Sequence, residues 1–522
     1  MTNNEKDMVC LDSNRPFSKS AFWKIQGDYY LNLGISAWAQ VPFYATSNLV
    51  IAKGYAFTIF KFLQEGLKNG IIDREEPVYL VELGAGQGKL TYHILNYLVP
   101  MLKEFNMEDV KYRHVMTDFA TKNIEFWGSH HQIMSYVKKG YVDFAHYDAT
   151  LNKGIHLIHQ KITLNKGKCK NPIMVIANYF FDAIPHDVFE IESGKIKEGL
   201  VDLFTPQDNL DGQQVKDLNS VDVHFHFRDT KLPYYEDKTL NDVLSYYLER
   251  FDHSSILIPV GGIHCLNHLS SFSDGRLLLI SGDKGYGSES AINNLPAPRV
   301  ACQGSFSIMV NFPALSKYIE LKDGFACQPD SQQGLKIFLM GMGLPAEKLK
   351  ETLFTYKHCL SEFNSQEFLA IKNVIIKYAD DVSLQDILAT IRLSEWDPKI
   401  VMAFSNQLIE KIPNAGISFK EELSQNMGRI RQNHFHIPNQ SSHIFEIGRL
   451  YYALGEFEEA IDCYKESLDS YSEDWGAHFN VGLSYYYLEK DDEALTHFKK
   501  ALELSPDSDM VQEWIDKLKS DS

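Results

Sequence analysis

The chain has 522 residues, too many for one ordinary core and enough for two to four domains. Its 44% apolar and 23% charged content is that of a soluble globular protein, and a formal charge of −18 without long basic runs argues against nucleic acid as a main partner. Seven cysteines without metal spacing read as reduced thiols of a cytoplasmic protein, and no apolar run approaches the roughly 20 residues that span a bilayer.

The opening "MTNNEKDMVCLDSNRPFSKS" contains acids and lacks an apolar core, the pattern of neither a signal nor a transit peptide. Residues 1–75 read as a mostly helical region, with an aromatic-rich connector "ISAWAQVPFYATSN" and helical spacing in "AFTIFKFLQEGLK". From 76 to 345 strands alternate with helices. The predicted strands are Val78–Leu83, Tyr112–Asp118, Val142–Asp148, Ile173–Phe180, Ile256–Val260, Leu277–Ser281 and Ser305–Phe312. That alternation predicts an α/β domain with a largely parallel sheet and helices on both faces. A polar stretch at 205–220 reads as an inserted loop, and "VDVHFHFRD" after it alternates like a strand.

Residues 346–440 read as a helical extension, and 441–522 contain a repeat. Gly448 falls on Gly482, Tyr451 on Tyr485, Ala460 on Ala494, Tyr464 on Phe498 and Ser467 on Ala501, always 34 residues apart. This is the tetratricopeptide period, and the second copy ends on Pro506. Small residues at these points let paired helices approach while the aromatics fill the space between them. The amphipathic "DMVQEWIDKLK" at 509–519 is expected to cap the array.

The chemistry is carried by "VYLVELGAGQGKLTYHIL" (78–95), an apolar strand that opens through glycines onto a helix. A dinucleotide fingerprint reads GxGxxG, with an acid about 20 residues on. Here glycines stand at every second position, Gly84, Gly86 and Gly88, with Ala85 between the first two and Glu82 before them. Such spacing is similar to motif I of Rossmann-like S-adenosylmethionine methyltransferases. That cofactor has no pyrophosphate, so the loop only has to let backbone pass where a Cβ would block it. Glu82 suits the cationic amino end, directly or through water. Asp118 closes the next strand, where a carboxylate accepts both ribose hydroxyl protons, with Phe119 beside it. Asp148 follows "VDFAHY", where the adenine amino group is held, with Ala149 next. Ligands in open α/β sheets lie beyond the carboxyl ends of strands, which is where these three acids stand.

"IMVIANYFFDAIPHDVF" then places Asn178 at a strand end, ahead of Phe-Phe-Asp182-Ala-Ile-Pro. Here the sequence resembles the MidA-type arginine methyltransferases of complex I assembly, whose signature is Asn-Glu-Phe-Phe-Asp-Ala-Leu-Pro. The resemblance continues in "GRLLLISGDKGYG" (275–287), "SFSIMVNFPALSKYIE" (305–320) and "FLMGMGLP" (338–345), with a weak echo in "VPFYATSN" (41–48). The family Glu is Tyr179 here, its motif I proline is Ala85, its usual Arg is Gln87, and its N-terminal Pro-Glu is Ser47-Asn48. The resemblance implies a class I methyltransferase core, the cofactor S-adenosylmethionine and an N-terminal region covering the cofactor site. It also implies a protein side chain as acceptor, arginine included. Asn178 would orient the acceptor or the methionine end. Asp182 would either hold a guanidinium or bond backbone amides in the turn before Pro185.

The expected partner is a protein recruited by the repeats, with no nucleic acid, no membrane and the oligomeric state open. The alternatives are a catalytically weak or inactive scaffold of the same fold that binds proteins through its repeats, and a small-molecule methyltransferase whose repeats only mediate oligomerisation. No metal is expected. His224 and His226 in "HFHF", like His434 and His436 in "NHFHIP", read as alternating on one strand face without a third ligand. "SGDKGYGS" lacks the phosphate-loop order and reads as a strand-to-loop turn.

Overall fold

The computed structural model describes residues 7–39, 43–212, 214–330, 334–362, 365–437, 443–470 and 474–521. The chain divides into two compact units, Met1–Gln366 and Glu367–Ser522. The principal elements of the first begin with β1 (Met8–Pro16), α1 (Ala21–Leu33), α2 (Leu49–Lys68), β2 (Val78–Leu83), α3 (Lys89–Glu104), β3 (Tyr112–Asp118), α4 (Thr121–Ser129) and β4 (Val142–His146). They continue through β5 (Ile173–Asn178), β6 (Asp187–Glu192), β7 (Lys195–Pro206), β8 (Asp222–Asp229), β9 (His253–Ile258), β10 (Leu277–Tyr286), β11 (Phe325–Cys327) and β12 (Leu335–Met342).

Strands β2 and β12 are buried along their whole lengths, as strands covered on both faces must be. The main sheet runs β11-β12-β10-β5-β2-β3-β4, with Val310–Asn311 also paired to β10. Neighbours from β10 through β4 are parallel, while β12 is antiparallel to β10 and β11 to β12. The chain steps outward from β2 through β3 to β4, then returns to lay β5 on the other flank of β2. Strand order therefore reverses between β2 and β5, the point where α/β sheets bind ligands.

A second, antiparallel sheet runs β1-β7-β6-β9, with β8 on the other edge of β7. Residues 8–16, expected to be helical, are thus a strand, paired to β7 through two irregular steps that blur their alternation. Near α1, Phe22 stacks on Phe306 with ring centroids 4.5 Å apart. Helix α2 starts on Asn48, whose side chain accepts from Ile51 N at 3.1 Å. Its Glu65 carboxylate accepts from the N–H groups of Glu351 and Thr352 at the start of the helix Lys350–Tyr356.

Other expectations shift. Residues 281–286 continue β10 rather than turning, because they pair with β12 and with Val310–Asn311. The expected strand 305–312 breaks into Ser305–Ser307 and Val310–Asn311, and Phe312 begins a helix that the Asn311 side chain caps with Pro313 in its first turn. His434 and His436 lie in irregular chain after the helix Ile417–Asn433 instead of on a strand, whereas His224 and His226 do lie on β8. Val41, Pro42 and residues 438–442, where the repeats were expected to begin, lie outside the described residues.

The second unit is helical throughout its described elements. Helices His443–Leu454 and Phe457–Ser470 pair, as do Trp475–Tyr487 and Asp491–Leu504. A Cβ on Gly448 would stand 2.7 Å from the Tyr464 ring, and one on Gly482 would stand 2.6 Å from the Phe498 ring. The repeat-matched glycines are where the helices touch. Val511, Ile515 and Leu518 of the final helix pack with Phe498 and Ala494.

Gly482→Val should therefore destabilise this unit by about 1–3 kcal/mol through overpacking. Gly428 sits mid-helix with open space around its would-be Cβ. Gly428→Ala should stabilise by roughly 0.5–1 kcal/mol. Urea unfolding followed by circular dichroism at the helical minimum tests both signs; equal shifts in one direction would contradict this packing.

Candidate functional site

A cavity of about 430 Å³ opens beyond the carboxyl ends of β2, β3 and β5, and a smaller one of about 50 Å³ lies beside it. The large volume falls within the range of small-molecule sites. Gly84, Asn178 and Tyr179 line both cavities. Asp118, Phe119, Asp148 and Ala149 line the large one, and Glu82, Ala85 and Gly86 the small one. Gly88 and Asp182 line neither. Helix α1 contributes Trp23, Gln26 and Tyr30 to the large cavity.

The glycine turn works as two devices. Gly84 has φ +65° and nothing within 4 Å of its would-be Cβ, so its backbone faces the cavity. Gly88 is a packing glycine: a Cβ there would meet Met116 Cε at 2.6 Å and Ile133 Cδ1 at 2.7 Å. Between them Gly86 donates its N–H to Asp118 Oδ2 at 3.2 Å, and its carbonyl accepts from Trp127 Nε1 at 2.8 Å.

Asp118 also accepts from Ala120 N and Asn123 Nδ2 at 2.9 and 2.8 Å. Burial raises its carboxyl above the ordinary range, and these donors pull the other way. The part-exposed Asp148 accepts from the N–H and hydroxyl of Thr150. Glu82 is held from behind: its Oε2 accepts from the Thr91 hydroxyl and lies 2.9 Å from His114 Nε2. Its carboxylate is thus positioned at the small cavity, with one oxygen already engaged.

Asn178 is fixed on both ends. Its Oδ1 accepts from Tyr55 OH at 2.8 Å and Gly282 N at 2.9 Å, and its Nδ2 donates to Thr46 O at 3.4 Å. The sequence reading did not include Tyr55 or Gly282. The turn after Asn178 is organised by another residue that reading missed, Asp283, whose Oδ2 accepts from Phe180 N and Asp182 N at 3.1 Å each. The Asp182 amide thus serves Asp283, and it also counts among the groups that steady the Asp182 carboxylate. The available signal was an acid inside the apolar run "LLLISGDKGYG", since a buried carboxylate must be bonded.

Among the described residues no group of three or more His, Cys, Asp or Glu side chains could hold a metal ion. No helix among them is long and apolar enough to cross a membrane, and all seven cysteines are free thiols.

The walls fit an adenosyl amino-acid cofactor. Strand-end carboxylates face the large cavity where hydroxyl and amino groups would lie, and a Cβ-free backbone and an acid face the small one. Residues 62–294 match the model of a family described as "Putative S-adenosyl-L-methionine-dependent methyltransferase", and residues 445–509 match the tetratricopeptide repeat model. No curated protein matches the chain. Among solved structures, a Burkholderia thailandensis protein bound to S-adenosyl-homocysteine is similar at 14% identity and TM-score 0.37, over 59% of this chain and 71% of that one. A native structure of an uncharacterized protein from the same organism is similar at 11% and 0.39, over 63% and 87%.

Burial pushes the Asp182 carboxyl up to about 7, with Lys284 partly opposing it. An acid with a folded pKa above its ordinary 3.8 binds more protons folded than unfolded. Its contribution is therefore most favourable below about pH 4 and is lost as pH rises through 7. Stability should fall across that window, and Asp182→Asn should flatten the fall and raise the urea midpoint at pH 8. An unchanged slope would assign the titration to another group.

Proposed function

We propose, for a chain whose residues 62–294 match the model of a family described as putative S-adenosylmethionine-dependent methyltransferases, that it methylates a protein side chain recruited with the help of its tetratricopeptide repeats. The observation that carries this reading is the cavity at the strand-order reversal, walled by Gly84, Asp118, Asp148 and Asn178. Asp118 accepts the ribose hydroxyl protons, and Asp148 and Ala149 border the adenine. The Gly84–Gly86 backbone and Glu82 meet the amino-acid end. When bound, the cofactor supplies an electrophilic methyl group on a sulfonium.

The chain's own contribution is placement. Asn178, locked by Tyr55 and Gly282, presents a fixed amide where both cavities meet, and an acceptor held in line with the methyl group gains most from such orientation. Tyr30, tied to Ser305 at 2.8 Å, helps α1 shield the cavity from water. Asp182 acts through the turn it belongs to. The repeats offer exposed aromatics, Trp475 and Tyr487, 37% and 51% exposed, of the kind solenoids use to grip peptides.

Calorimetric titration with S-adenosylhomocysteine, with NAD as control, tests the cofactor site. Asp118→Ala should weaken binding by roughly 10- to 100-fold, the worth of hydrogen bonds to a charged group. Replacing Trp475 and Tyr487 together by Ala should leave that affinity unchanged and raise KM for a protein acceptor. A folded wild-type protein that does not bind the ligand would refute the reading.

A further inference from the structure

As the seat of the cofactor's amino-acid end, the small cavity must meet an ammonium and a carboxylate carried on one carbon. Glu82 in its wall suits the ammonium. A carboxylate has only acceptor oxygens, so the wall must also offer it N–H or O–H groups.

Most of the donors around this cavity are already engaged. In the glycine turn, Ala85 N donates to Thr117 O at 2.9 Å, Gly86 N to Asp118 Oδ2 at 3.2 Å and Gly88 N to Ala85 O at 2.8 Å. The hydroxyls of Thr46 and Ser47 donate to Phe43 O at 3.1 and 3.0 Å, and Asn178 Nδ2 donates to Thr46 O at 3.4 Å. Lys89 Nζ lies 5.8 Å from the centroid of the Tyr44 ring.

Gln87 differs from all of these. It is only 4% exposed, and neither its Oε1 nor its Nε2 has a hydrogen-bond partner among the described residues. Buried carboxamides are nearly always bonded, so one left open on both atoms in a cavity wall suits a ligand that brings both partners. Its position decides which part of the ligand that is. Gln87 lines the small cavity and not the large one, whereas Asp118 and Asp148 line the large one and not the small. A cofactor with its ribose at Asp118 and its adenine at Asp148 therefore brings its other end to Gln87, past Gly84, which borders both cavities.

We propose that Gln87 holds the amino-acid end of the cofactor and makes the site selective for a ligand that carries a carboxylate. This rests on the reading of the site as one for S-adenosylmethionine. Nε2 donates to the carboxylate while Oε1 accepts from the ammonium, whose remaining protons face Glu82. One carboxamide, donor and acceptor side by side, thus matches the two charges of the zwitterion. A ligand without the carboxylate leaves Nε2 buried and unbonded, which disfavours it.

The test is calorimetric titration of the full-length protein with S-adenosylhomocysteine and with S-adenosyl-3-thiopropylamine, which keeps the amine and lacks the carboxylate. The wild-type protein should prefer S-adenosylhomocysteine. Gln87→Leu should weaken that ligand by about tenfold and the amine by less. Gln87→Glu, which keeps the shape and sets an anion against the carboxylate, should weaken S-adenosylhomocysteine at least as much. It should also bind the amine at least as tightly as wild type does. Unchanged S-adenosylhomocysteine affinity in either variant, or matching losses for both ligands, would overturn the proposal. A folded wild-type protein that binds neither ligand would overturn the cofactor reading itself.

Discussion

The Asp283 carboxylate, wholly buried, accepts from the backbone N–H groups of Phe180, Asp182 and Lys284 at 3.1, 3.1 and 2.8 Å. Hydrogen bonds to a charged acceptor contribute roughly 1.5–3 kcal/mol each, so this one group fixes the chain from the end of β5 through the turn. That fixation holds Tyr179 in the left-handed region at φ +46°, a conformation costing about 1–3 kcal/mol for a residue with a side chain. Tyr179 N also donates to Gly282 O at 2.9 Å, so the strained residue is clamped from β10. Gly282 must itself be glycine, because a Cβ there would lie 2.8 Å from Asn178 Oδ1. Both cavities share the wall that results.

The parts of this arrangement that sequence reading reached are those written locally. An apolar strand, three alternating glycines and an acid at each following strand end are features of contiguous stretches, and β2, β3 and the residues after β4 stand where those stretches put them. The repeat was legible for the same reason, since each glycine meets its aromatic one helix away. What was hidden depends on distant pairings. Tyr55 and Asn178 are 123 residues apart, and Phe180 and Asp283 are 103 apart. Gln26 sits on a helix whose face could be chosen only once Phe22 and Trp23 had found Phe306 and His186. Strand β1 was invisible because its pairing slips twice, destroying the period-two signal.

Asp182 and Asp283 are two carboxyl groups in one buried turn, and two like charges in low dielectric do not both ionise. Burial raises both, and each is linked to the other through the Asp182 N–H. Three amide donors favour the anion on Asp283 and oppose that rise. Asp182, raised by burial, lines neither cavity. Lys284 Nζ lies 5.9 Å from the centroid of the Tyr179 ring, which stands where the resembling family has its glutamate. The Glu82 carboxylate lines the small cavity together with Asn178, so charges of both signs border this turn. Between them the Asn178 carboxamide, fixed by Tyr55 OH and Gly282 N, is a neutral group common to both cavities.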